Sequence, residues 1–148
     1  MSEALTVADA ALDYAAELIG AALGGVEVSR DAIAEEPADD EATDTGLVVA
    51  LATGTWTETG YCMGAARPYE FEHAAPFEVL VVGGDEAARK ARLVGAVRDA
   101  AAAIAADTTL GGRVDHAEFV TPDPSEEALF AGLRAILQLT FTAPDALG

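Results

Sequence analysis

The sequence predicts an α+β domain in which two helices pack on one face of a mainly antiparallel sheet of four to five strands. Three observations carry that reading. Apolar residues recur at helical spacing in two separate windows, apolar and polar residues alternate in several others, and glycine or proline turn signals stand between them.

Taken along the chain, the elements read α-β-β-β-α-β-β. Thr6 followed by Asp9 marks a helix start, and Ala8, Leu12, Ala15, Ile19, Ala22 and Leu23 make an apolar stripe opposite Asp9, Asp13 and Glu17. Gly24-Gly25 stops this helix. A short strand is expected from Val26 to Ile33, leading into an acidic stretch at about 35–45 that has no periodicity and reads as an exposed loop. The β-branched and aromatic run from Leu47 to Glu58 predicts a strand, closed by turn residues from Gly60 to Gly64. A longer extended stretch follows from Ala66 to Val82, where Pro76 is expected to bulge or break the ladder because proline has no N–H to donate.

Gly83-Gly84 then turns the chain into the longest helix, with Asp85 and Glu86 at its N-terminus and Leu93, Val94, Val97, Ala101 and Ile104 along its core stripe as far as Ala106. Asp107 to Gly112 is turn-like, and Val114 to Val120 is a short strand. Pro122-Asp123-Pro124 breaks it, and Ser125-Glu126-Glu127 caps a helical turn through Phe130. Leu133, Ala135, Leu137, Leu139 and Phe141 alternate with polar residues along a closing half-buried strand.

Length and composition narrow the function classes. The 148 residues are expected to form one domain, 1–148, large enough to fold without a disulfide or metal. Cys62 is the sole cysteine, so no internal bridge can form, and a non-oxidising compartment is expected. Acids stand at the N-terminus where a secretory leader carries Lys or Arg, and no apolar run nears the ~18 residues that span a bilayer. The net charge of −18 opposes a grip on phosphate backbones or anionic lipid, so neither direct nucleic-acid binding nor membrane association is expected. Either a functional acidic surface or adaptation to a salty host would produce this excess. The single lysine, Lys90, favours the host.

No motif points to catalysis, a cofactor or a metal. Gly83-Gly84 lacks phosphate-loop spacing, and Asp85 and Glu86 place negative charge where a phosphate would lie. Asp39, Asp40, Glu41 and Asp44 lack the alternation and glycine of a calcium loop. His73 and His116 sit within strand patterns without zinc-site neighbours, Ser2, Ser29 and Ser125 lie in no nucleophile elbow, and Cys62 has no cationic neighbour. The chain is therefore expected not to be an enzyme.

One pattern does suggest a contact surface. Opposite the core stripe of the longer helix, Ala88, Gly95 and Ala102 recur seven residues apart, flanked by Ala91 and Arg98. A seam of small residues lets a second surface approach closely. Alanine is also the best helix filler, yet Gly95 costs a helix interior about 1 kcal/mol where alanine was available.

In the order and texture of residues 47–142, the chain resembles the tail terminator, or tail completion, proteins of long-tailed phages and gene transfer agents. The resemblance lies in a Trp-containing strand (TGTWTETG), the strand PYEFEHAAPFEVLVVGGDE, the helix AARKARLVGAVRDAAAAIAAD, then TLGGRVDHAEFV and the closing strand LRAILQLTFTA. It implies a structural virion subunit, made in the host cytoplasm, that forms a homomeric ring, typically a hexamer, at the head-proximal end of the tail. The tail tube protein and the head connector or stopper would be its partners. A head-to-tail joining (neck) protein and a non-viral cytosolic protein-binding module remain alternatives.

Overall fold

The computed structural model describes residues 3–30, 46–61, 69–120 and 132–143. Two helices, α1 (Glu3–Ala22) and α2 (Glu86–Ala106), pack on one face of a sheet built from β1 (Val28–Ser29), β2 (Gly46–Leu51), β3 (Thr55–Tyr61), β4 (Tyr69–Val82), β5 (His116–Val120) and β6 (Gly132–Ala143). The strand order is β1-β2-β4-β6-β5, with β3 also on β4. All pairings are antiparallel except β1 with β2. The α+β class read from the sequence is the class observed.

β4 is the axis of the sheet. Its 14 residues pair with β6 along nearly their whole length, Tyr69↔Ala143 to Leu80↔Gly132. On the other side it is shared: β2 takes Phe77 to Val82 and β3 takes Tyr69 to Ala74. The stretch expected as a single strand from Leu47 to Glu58 is thus two short strands. The break is at Gly54, whose φ of 68° favours glycine. A Cβ there would stand 2.0 Å from the Ala74 carbonyl oxygen and 2.7 Å from the Pro76 ring.

Pro76 neither bulges nor breaks β4. It stays in register opposite Ile136, and its carbonyl accepts from Ala52 N–H at 2.9 Å. Since a strand residue aims its N and its C=O to the same side, the missing N–H points at the junction where β2 has ended and β3 has not begun. The ladder has no acceptor to lose there. Farther on, the turn expected to start at Gly60 is displaced, because Gly60 lies inside β3 beside a register shift after Glu58.

Alternation sets the two faces. Phe71, His73, Ala75, Phe77, Val79 and Val81 of β4 point at the helices and are buried, as are Leu137, Leu139 and Phe141 of β6. Phe71 stacks on Phe141 with ring centroids 5.6 Å apart, and Phe77 meets Phe119 at 4.9 Å. Such pairs add about 0.5–1.5 kcal/mol to the burial itself.

α1 is helical before Thr6 rather than starting there. It buries Ala8, Ala11, Leu12, Ala15, Ala16 and Ile19, and Leu23 just past its end is buried too, while Ala22 faces solvent. Gly25 N–H reaches the Gly20 carbonyl at 2.9 Å and Gly24 N–H reaches that of Ala21 at 3.2 Å, a paired glycine cap that ends the helix. The strand expected from Val26 to Ile33 is confined, within the described residues, to Val28–Ser29. The acidic stretch 35–45, Cys62 and the helical turn expected from Ser125 to Phe130 lie outside the described residues.

Candidate functional site

α2 begins where the sequence places it. Gly83 and Gly84 both take positive φ, 78° and 72°, and Asp85 accepts a hydrogen bond from Ala88 N–H at 2.7 Å. The buried stripe is Leu93, Ala96, Ala100 and Ile104, with Val94, Val97 and Ala101 only half-buried. The helix is therefore rotated from the expected stripe, onto two alanines that sequence reading treats as filler. Larger apolar residues there would overfill the narrow space against α1 and the sheet.

The five seam residues come together on the outward side of α2. Ala88, Ala91, Arg98 and Ala102 are exposed, and Gly95 is half-buried with no atom within 4 Å of where its Cβ would stand. The glycine thus answers to no contact among the described residues.

β5 closes one edge of the sheet, and no described strand pairs with its outer side. Val120 at its end is 55% exposed, the one large apolar residue so exposed among the described residues. Such an edge can accept another strand.

Two polar clusters escaped the sequence reading. In the first, Arg30 donates to the Leu51 carbonyl at 2.9 Å, to Thr53 Oγ1 at 3.3 Å and to Asp9 at 3.4 Å, and also to Asp13. It ties α1 to the β2–β3 junction. The Thr53 carbonyl in turn accepts from Nε2 of His73, which is wholly buried on the core face of β4. Burial above all pushes the His73 pKa down, the Thr53 bond opposes that, and the Arg30 charge lowers it further.

In the second cluster, Tyr14 donates to Asp107 at 2.6 Å while the Arg113 guanidinium lies 4.4 Å above the tyrosine ring. The Tyr14 bond, then that from Gly111 N–H, holds the Asp107 carboxyl below its ordinary range. Both clusters fasten one element to another. The bonds that join one element to another span 17 to 93 positions of the chain, so only the finished topology brings their partners together.

His116 is exposed, 3.7 Å from Glu118. Among the described residues no group of three or more His, Cys, Asp or Glu side chains is placed to hold a metal ion, and no helix is long and apolar enough to cross a membrane. No protein-family model, curated protein or solved structure matches this chain.

Proposed function

We propose that this chain is a structural subunit that works by repeating, and that it forms the terminator ring, of six copies, at the head-proximal end of a long phage-like tail. The observation that carries the reading is the outward face of α2. Ala88, Ala91, Gly95, Arg98 and Ala102 share it, and the space above Gly95 is open. A helix face this low lets a neighbouring subunit come close, and repeated heterologous contacts close into a ring when the rotation divides the circle. The β5 edge, with exposed Val120, offers a second place for subunits to meet. The tail tube protein and the head connector would then sit on the two sides of the ring, as the resemblance over residues 47–142 implies.

The test is light scattering and electron microscopy of the purified chain, alone and with tail tubes. Rings are expected, and Gly95→Leu should keep the fold yet stop ring closure, since a leucine fills the approach. Identical rings from both proteins would remove α2 as the interface. A wild-type chain that stays monomeric at every salt concentration and on tail tubes would end the terminator reading.

A further inference from the structure

Cations are scarce in this chain, and half of them sit in one helix. α2 holds four of the eight basic residues, Arg89, Lys90, Arg92 and Arg98, and only two of the 26 acids. Three of the four occupy its first two turns, where the helix dipole disfavours positive charge, and its last turn, where the dipole would favour it, has none. Arg89 is engaged with the Gly84 carbonyl at 2.6 Å. Lys90, Arg92 and Arg98 are exposed, and among the described residues none of them forms an ion pair. Helix stability does not account for this placement. An anionic partner would account for it.

The complementary surface is on the same chain, towards the other edge of the sheet. Between the C-terminal half of α1 and the segment entering β1 lies a shallow groove of about 400 Å³, floored by Ala16, Gly20, Val26 and Val28 and carrying Glu17 and Glu27. Both glutamates are exposed, and among the described residues neither has a cationic partner. Gly20 makes the groove possible, because a Cβ there would stand 2.5 Å from the Val26 carbonyl oxygen.

We propose that the exposed cations of α2 dock on this groove in a second copy of the chain, with Lys90 and Arg92 facing Glu17 and Glu27. This rests on the reading of the chain as a repeating subunit, and it names the surface that the α2 face meets. Charge complementarity selects the occupant: the charged groups of the groove are all carboxylates, and α2 carries four basic residues, more than any other described element. α2 packs on α1, β4 and β5, while the groove lies between α1 and the segment entering β1; the groove and the exposed face of α2 share no residue, so the contact runs head to tail. Paired charges of this kind fix partner and register more than they add affinity.

A charge swap tests it. One variant carries Lys90→Glu and Arg92→Glu, the other Glu17→Lys and Glu27→Lys, and circular dichroism checks that both fold. Sedimentation at about 0.15 M salt, where charges act over roughly 8 Å, should show each variant alone associating at least about tenfold more weakly than wild type. Mixed in equal amounts, the two should associate again, because every α2 then finds a groove of opposite sign. If wild type assembles and the mixture does not recover, the docking pair is wrong while the subunit reading stands; if wild type never assembles, both fall. Duplex DNA captured through Lys90 and Arg92 at the same salt would also overturn the assignment.

Discussion

Two glycines illustrate how residue-scale consequences differ with surroundings. Gly54 has positive φ and lies against Ala74 and Pro76, whereas Gly95 is helical with open space beside it. Gly54→Ala should therefore cost about 3 kcal/mol or more, and Gly95→Ala should stabilise by about 0.5–1 kcal/mol, both read by urea denaturation. His73 gives a second residue-scale test. Its pKa in the fold lies below its ordinary value of 6.5, so on acidification the unfolded chain binds the proton first. Its contribution is complete above pH 6.5 and is lost as pH falls from there through the folded pKa, at up to about 1.4 kcal/mol per pH unit. His73→Gln should flatten this earliest acid loss in a denaturation series between about pH 7 and pH 5, ahead of the carboxylates.

At the scale of elements, Arg30 is the fastening between α1 and the β2–β3 junction. Arg30→Met removes its bonds to Asp9, Asp13, Thr53 and the Leu51 carbonyl and should cost about 1–3 kcal/mol by denaturation. It should also let the His73 pKa rise, seen by NMR titration, since the Arg30 charge helps to hold it down. None of this was legible in the sequence, because Arg30 reaches residues on two other segments, α1 and the β2–β3 junction. The alternation along β4 and β6, the glycine turn into α2 and its seam could be read, since each pattern belongs to one segment. The break at Gly54 was hidden in a continuous β-branched run, and the true core stripe of α2 was hidden in alanines, which serve equally as core and as filler. The groove at Glu17 and Glu27 needed the chain after α1 to fold back over Gly20, which no local pattern encodes.

At the scale of the whole molecule, charge dominates encounters with other macromolecules. A net charge of −18 opposes the counterion release that drives non-specific DNA binding, so a gel shift at ~50 mM salt should show no micromolar complex even though α2 is locally basic. If the ring surrounds a DNA path, walls of this sign let the duplex slide past without adhering. In the proposed ring the same charge would set subunits against one another by repulsion, and the local pairing of cations with carboxylates would set which faces meet.

The position of β6 has a consequence for how the protein is made. β6 lies between β4 and β5, yet it follows both in the chain. While synthesis proceeds from the N-terminus, β4 can hold β2 and β3 on one side, but its other side has no partner and β5 has nothing to join. The sheet is completed only when the last of these strands enters its middle. Until then the nascent chain presents a long unpaired edge flanked by Phe71, Phe77 and Val79, so the sheet cannot close before β6 has been made, and the interval before that is when misassembly threatens most.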